Sequence, residues 1–441
     1  MFHVKGMQMK KVYSICEYEY FTREKVTEDS RYCPLPSKIF DLLLDCILAY
    51  PIEKNKIQTF FLVTQKRRVG TVIQATNYVG TFLLKNGVGI EILPKIVEDH
   101  TLHKENRKIF LQMLMEVWKL PIKKVEKASL QAEKNGFFWW FITIFLKETE
   151  ILVKQGLSSE YHLEESNENF LKGKLLFSKQ ITKNSVHQEH FYVEKDVFNE
   201  DRPENRLIKA TLLKVNKVAD SKNKARIKRL LSYFYQIDPS FQVEKDFGLC
   251  KKDRSSKRYN TVLEWCQIFL NRKKFGMFYG NEKFLSLFFP MDQLFEQYVA
   301  KQIYQFFYKK QYTVKTQIKG TYLLEIRSNS LKTNCEEMKG CFELIPDIAI
   351  WKGKKLILLD TKWKLLNIEK RNYGITQDDI YQMFAYGVRY QAKKVLMLYP
   401  KREKLQEEII FNSKNNVEIK VVWVDLLHMD QTLESIRKEI E

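Results

Sequence analysis

"IPDIAIWKGKKLILLDTKWK", residues 345–364, sets two aspartates and a lysine among stretches otherwise made of Ile, Leu and Ala. The apolar runs Ile348-Ala349-Ile350 and Leu356-Ile357-Leu358-Leu359 read as two strands. Gly353-Lys354 between them reads as a two-residue turn, with Gly at the first central position as a II′ hairpin prefers. That turn pairs residue 352 with 355 and therefore 347 with 360, which brings the two aspartate Cβ atoms to about 5 Å on one face. Lys362, two residues on, returns to the same face. Burying carboxylates without a partner is costly, so this arrangement calls for a cation. The hairpin alone leaves two answers open. One is a buried salt bridge between Lys362 and the acids. The other is a hard dication such as Mg²⁺ on Asp347 and Asp360, with Lys362 placed to hold a water and offset phosphate charge.

Two neighbouring stretches bear on the choice. In TQDDIYQMFAYGVRY (376–390), Gln382 and Tyr386 are four apart and share a helix face, with Asp379 and Arg389 nearby; Ile380, Phe384 and Gly387 take another face suited to a sheet. In MDQLFEQYVA (291–300), Glu296 flanks an apolar stripe and is placed to offer a third oxygen to a metal.

Farther out, 441 residues with 44% hydrophobic content are enough for two or three packed domains. A formal net charge of +20 and a pI near 9.3 favour a polyanionic partner such as DNA or RNA. Basic clusters at 222–229, 251–258 and 272–274 suit phosphate or an acidic protein surface. The seven cysteines are scattered without a CxxC pair, which fits a reducing cytoplasm. His187 and His190 lie in HQEH without a companion pair and read as a surface turn rather than zinc ligands. The apolar run FFWWFITIFL (137–146) is too short to span a bilayer and reads as a buried helix, so a soluble chain is expected. No GxxxxGK[ST] occurs, so no P-loop nucleotide site is expected.

Periodicity divides the chain. Residues 58–96 read as a small antiparallel β-unit, followed by helices at 105–119, 137–155, 203–219, 224–236 and 260–273, with strand-like pattern around 169–195. After a boundary near 280–286, a helix at 291–309, strands near 312–326, 342–351 and 354–364, a helix at 377–391 and strands at 394–399 and 417–424 describe a compact domain on a mixed sheet. The expectation is an α+β N-terminal region (1–283) with a small β-unit and helices, and a C-terminal α/β domain (284–441).

IPD, LLDTK and QMFAY together resemble the PD-(D/E)XK nuclease motif with its QxxxY helix, over roughly residues 288–400. More widely, VGIEILPKI (88–96), DRPENRLIKATL (201–212), MDQLFEQYVA, LDTKWK and DIYQMFAYGVRY resemble the McrC family, the nuclease subunits of McrBC-type modification-dependent restriction systems. The resemblance implies a restriction-endonuclease-like C-terminal domain that cuts double-stranded DNA. It further implies an N-terminal part that docks on a hexameric AAA+ GTPase of the McrB type and stimulates its GTP hydrolysis. By motif match Asp347, Asp360 and Lys362 carry over as the catalytic set, Glu296 as a metal-side acid, and Gln382 and Tyr386 as support or DNA contacts. The implied cofactor is Mg²⁺, with Mn²⁺ as an alternative. No cysteine follows Cys341, so the iron–sulfur cluster of some QxxxY nucleases is not expected. The family's usual target is methylcytosine-containing DNA, read by the partner. Two other readings stand beside this one: a free-standing repair or recombination nuclease, and a non-catalytic DNA-binding adaptor whose acids form an ion-pair cluster.

Overall fold

The computed structural model describes residues 11–26, 29–48, 60–84, 86–96, 103–117, 125–250, 256–270, 285–308, 310, 312–329, 336–367, 369–401 and 407–441. In chain order these form β1 (Lys11–Cys16), β2 (Tyr20–Thr22), β3 (Tyr32–Pro34), α1 (Ser37–Leu48), β4 (Phe61–Lys66), β5 (Gly70–Ala75), β6 (Tyr78–Leu83), β7 (Val88–Leu93), α2 (His103–Val117) and α3 (Val125–Lys154). Then come β8 (Glu160–Glu168), β9 (Lys174–Leu175), α4 (Phe177–Lys183), β10 (Phe191–Asn199), α5 (Pro203–Asn216), α6 (Ser221–Tyr233), α7 (Val243–Leu249) and α8 (Asn260–Leu270). The last stretch holds β11 (Leu285–Pro290), α9 (Met291–Tyr308), β12 (Thr313–Thr316), β13 (Tyr322–Asn329), β14 (Glu336–Glu343), β15 (Ile348–Lys352), β16 (Lys355–Thr361), α10 (Gln377–Arg389), β17 (Lys394–Pro400), β18 (Ile410–Asn412), β19 (Glu418–Val424) and α11 (Met429–Ile440). The protein is α+β with mixed sheets.

The chain forms two compact units, neither of them a single stretch. One takes in residues 1–13, 81–90 and 130–288; the other takes in 14–80, 91–129 and 289–441.

In the first unit, α3 carries the apolar run at 137–146. Gly136 breaks the helix (φ 83°, ψ 167°), so the buried part restarts at Phe137, as the periodicity implied. Trp140 and Trp265 are both fully buried and meet edge to face at 6.5 Å. No helix among the described residues is long and apolar enough to cross a membrane. The DRPENR stretch is consumed by its own joint between β10 and α5. Asp201 takes a bidentate bond from Arg206, at 2.7 and 2.6 Å. Pro203 occupies the first turn of α5. Asn205 donates to the carbonyls of Ser158 and Glu200 and accepts from Tyr259.

The second unit is organised by a six-stranded sheet in the order β12-β15-β16-β17-β19-β18. β15 and β16 form the expected hairpin, with Lys352 opposite Lys355 and Ile348 opposite Leu359. Gly353 has φ +61°, while Lys354 does not share that sign, the pattern of a II′ turn. β16, β17 and β19 run parallel, and β12 and β18 are antiparallel edges. The parallel strands are buried on both faces, which is why their sequences are nearly continuous apolar runs. Leu358, Val395, Met397, Tyr399 and Val421 belong to one core cluster with Met383 and Tyr386 of α10.

The order inferred for this region was incomplete. Tyr322–Asn329 and Glu336–Glu343, β13 and β14, pair antiparallel as a separate two-stranded sheet; β18 and α11 were also not foreseen. In addition, Asp347 stands one residue before β15 rather than inside a strand. Pro346 has no N–H for a ladder, and the Asp347 carbonyl accepts from Gln317 N at 3.0 Å, just past the end of β12. The region 58–96 is likewise not one β-unit: β4 and β5 join β2 and β3, while β6 and β7 pair in another sheet.

α10 lies so close to the start of β19 that a Cβ on Gly387 would sit 2.4 Å from Val417 Cγ1. Valine is stiff at χ1 and cannot swing away cheaply. Gly387→Ala should therefore destabilise the protein by roughly 1–2 kcal/mol in denaturant unfolding, despite the helix preference for Ala. Gly387→Ala combined with Val417→Ala should remove the clash component. A single variant as stable as wild type would contradict this packing.

Candidate active site

Asp360 lies near the end of β16 beside Met397 of β17 and is 3% exposed. Lys362 N donates to Leu398 O at 2.9 Å, which carries the parallel pairing one residue past the strand and holds Lys362 on the Asp360 side. Lys362 Nζ is 2.7 Å from Asp360 Oδ2. It also donates to Gln382 Oε1 at 2.9 Å. Gln382 Nε2 in turn donates to Tyr386 OH at 2.8 Å, and Tyr386 OH donates to Ile345 O at 2.9 Å. This path of one ionic contact and three hydrogen bonds thus leaves β16 at Asp360 and ends at Ile345, in the segment leading into β15 and two residues before Asp347. The i, i+4 spacing of Gln382 and Tyr386 makes that return possible. Tyr386 is 2% exposed, so it braces the site and presents no surface to a nucleic acid.

Asp347 is held by the residue next to its counterpart: its Oδ2 accepts from Thr361 N and Thr361 Oγ1, both at 2.7 Å. Gln317 Nε2 lies between Glu296 Oε1 and Asp347 Oδ1 and donates to both. The three acids repel. Burial, then the Asp347 charge, pushes Asp360 up to about 6, against the opposing pull of Lys362. Burial, then Asp347, likewise pushes Glu296 up to about 7. Arg389 belongs to the scaffold, and Asp379 serves the scaffold while its Oδ1 also lies 3.9 Å from Lys362 Nζ. Asp379 closes a capping box with Thr376 and pairs with Lys364 at 2.8 Å, while Arg389 donates to Tyr322 O.

Among the described residues no three His, Cys, Asp or Glu side chains stand close enough to enclose a metal. The donor set nevertheless suits Mg²⁺, which is commonly bound by one or two carboxylates with water and substrate phosphate completing the shell. Asp360 Oδ2 is buried and accepts no well-angled hydrogen bond, its lysine contact being ionic. In HQEH, His187 Nδ1 lies 3.0 Å from Glu189 Oε1, and both side chains are exposed. Two basic residues of the 222–229 cluster pair with an acid of this chain. Arg226 makes a bidentate bond to Glu150, which Arg229 shares. Residues 251–255 and 272–274 lie outside the described residues.

A sequence model of the family described as "McrBC 5-methylcytosine restriction system component" matches residues 73–400. The chain belongs to this family. Among solved structures, a chain of the refined half-complex from the tetradecameric assembly of Thermococcus gammatolerans McrB AAA+ hexamers with bound McrC aligns over 98% of this chain and 100% of its own. Its TM-score is 0.69 at 18% identity, a likeness of fold. The cryo-EM structure of the Thermococcus gammatolerans McrBC complex aligns over 66% of this chain and 86% of its own, with TM-score 0.49 and 23% identity. No curated protein sequence matches.

Four residues of the site were not foreseen. Thr361 and Trp363 sit inside the quoted stretch, but their partners are set by tertiary contacts. Gln317 and Glu17 carry no local signal. Glu17, between β1 and β2, is 1% exposed and accepts from Trp363 Nε1 at 3.1 Å through both oxygens. Burial pushes it up to about 8, against the bonds from Trp363 and Lys95.

Asp360, Glu296 and Glu17 all hold their protons more tightly folded than unfolded. Their stabilising contribution is therefore complete below about pH 4 and is lost as pH rises through about 6, 7 and 8. In EDTA, the urea midpoint should fall between pH 5.5 and pH 8.5. A midpoint that holds or rises across that window would contradict the buried-acid geometry.

Proposed function

We propose that this McrBC-family chain is the DNA-cutting subunit of its restriction system, a metal-dependent phosphodiester hydrolase of the PD-(D/E)XK type acting at Asp347, Asp360 and Lys362. The observation that carries the proposal is the bonded path Asp360–Lys362–Gln382–Tyr386–Ile345. It ties the single lysine of the motif to one acid and to the loop bearing the other.

Asp347 and Asp360 would hold the ion, with Glu296 behind Gln317 as the further acid. A bound Mg²⁺ at such a site supplies a water of lowered pKa and neutralises charge on the scissile phosphate. Lys362 Nζ, already fixed by Asp360 and Gln382, provides the positive charge facing that phosphate and a donor to orient the attacking water. Gln382 and Tyr386 keep the ammonium from wandering. Thr361 keeps Asp347 turned toward the site through two bonds.

The partner is proposed as an AAA+ GTPase hexamer of the McrB type, as bound to McrC in the similar assembly. We assign DNA cleavage to the unit of residues 14–80, 91–129 and 289–441, and docking and stimulation of the GTPase to the unit of 1–13, 81–90 and 130–288, with methylcytosine-containing duplex DNA as the substrate. The +20 net charge favours that polyanion.

In the complex with its GTPase, Asp360→Ala should abolish cleavage while leaving partner binding unchanged. Lys362→Ala should lower the rate by about 10²-fold or more. Tyr386→Phe, which loses the bond from Gln382 and the bond to Ile345, should lower it by about 3- to 10-fold. Mg²⁺ should raise the thermal midpoint of the wild-type chain and not that of Asp360→Ala. Full cleavage by Asp360→Ala, or no metal response in wild type, would end the proposal.

A further inference from the structure

The residues between β1 and β2 are fixed several times over. Glu17 N donates to Leu93 O, Tyr18 N donates to Ala75 O, and Ala75 N donates to Glu19 O. Cys16 N donates to the Glu19 carboxylate at 2.8 Å. Tyr18 takes φ +64°, a left-handed conformation rare for an aromatic residue, held by these bonds. From this rigid base the Glu17 side chain runs inward. Its Oε2 accepts from Lys95 N at 3.2 Å, and both oxygens lie 3.1 Å from Trp363 Nε1. Trp363 follows Lys362 directly. Its ring packs on Phe295 at 5.2 Å, and Phe295 precedes Glu296. One indole therefore ties the residue after Lys362, just past β16, to the residue before Glu296 on α9. A hydrophobe at position 17 would fill a buried corner at less desolvation cost than a carboxyl group. The carboxyl gives the indole N–H a directed acceptor on a fixed base.

We propose that Glu17 is a positioning residue for the hydrolytic site, acting through Trp363 to hold Lys362 and the Phe295–Glu296 turn in register. This rests on the hydrolytic reading above. Glu17 touches neither substrate nor metal in this role. Because burial keeps the acid protonated near neutral pH, glutamine reproduces its shape and its acceptor.

The test uses the full chain with its GTPase partner, GTP and a methylcytosine-containing duplex. Wild type and Asp360→Ala fix the full and zero levels of cleavage. Trp363→Phe keeps the ring against Phe295 and deletes the N–H; Glu17→Ala deletes the acceptor. Each should lower kcat by about tenfold or more while leaving the KM for DNA within about twofold, because the site is misaligned and the DNA surface is not. Glu17→Gln should return kcat to within about threefold of wild type. In the 5-fluorotryptophan-labelled chain, the ¹⁹F resonance missing from Trp363→Phe should shift in Glu17→Ala and hold in Glu17→Gln.

Unchanged kcat in both Trp363→Phe and Glu17→Ala overturns the role. So does a loss in Glu17→Gln as large as in Glu17→Ala, or a kcat loss that merely tracks a fall in unfolding midpoint with no ¹⁹F shift. A wild-type complex that leaves the duplex intact overturns the hydrolytic reading itself, and the two controls separate that result from the others.

Discussion

A carboxylate that is 3% exposed at the end of a central strand must have a cation, and much of the second unit is arranged to supply one at Asp360. Lys362 answers, 2.7 Å away. The lysine cannot do so alone, because a long flexible side chain loses rotamer freedom when held. Gln382 and Tyr386 meet that requirement by anchoring it to the backbone at Ile345. The same anchor fixes the loop that carries Asp347, and Asp347 raises the proton affinity of Asp360 and Glu296. Acids held near one another at this energetic disadvantage are a recurrent mark of functional sites, where stability is given up for reactivity.

The hairpin was legible because its logic is local. A Gly at the first position of a two-residue turn fixes the register, and the register fixes which side chains share a face. The Gln382–Tyr386 pair was legible for the same reason, helical spacing being a local property. The buried run after Gly136 was readable from its length and composition.

What escaped was set by distance along the chain. Gln317 reaches Asp347 from 30 residues away, and Glu17 reaches Trp363 from 346. Neither glutamine nor glutamate in a short strand turn carries a signal that names its partner. Arg226 shows the same limit: a basic run on a helix suits phosphate or an acidic surface, and only the fold reveals Glu150, 76 residues earlier, holding its guanidinium. The linear division near residues 280–286 also hid an interleaving. Residues 14–80 and 91–129 fold with 289–441, so the unit that holds the candidate site draws its inner support from the N-terminal part of the sequence.

DRPENR, the most distinctive stretch outside the candidate site, is spent on a structural joint in the other unit. Its resemblance value therefore comes from folding rather than from chemistry. The titratable residues of the candidate site gather instead at β15, β16, α9 and α10, and Glu17 reaches them through Trp363.

The most direct measurement is an anomalous-difference map from crystals of the protein soaked in Mn²⁺. The account predicts a peak within about 2.2 Å of one oxygen from each of Asp347 and Asp360, with the Lys362 ammonium displaced from Asp360 Oδ2 toward Gln382. Crystals that take up Mn²⁺ elsewhere while Lys362 stays on Asp360 would contradict it.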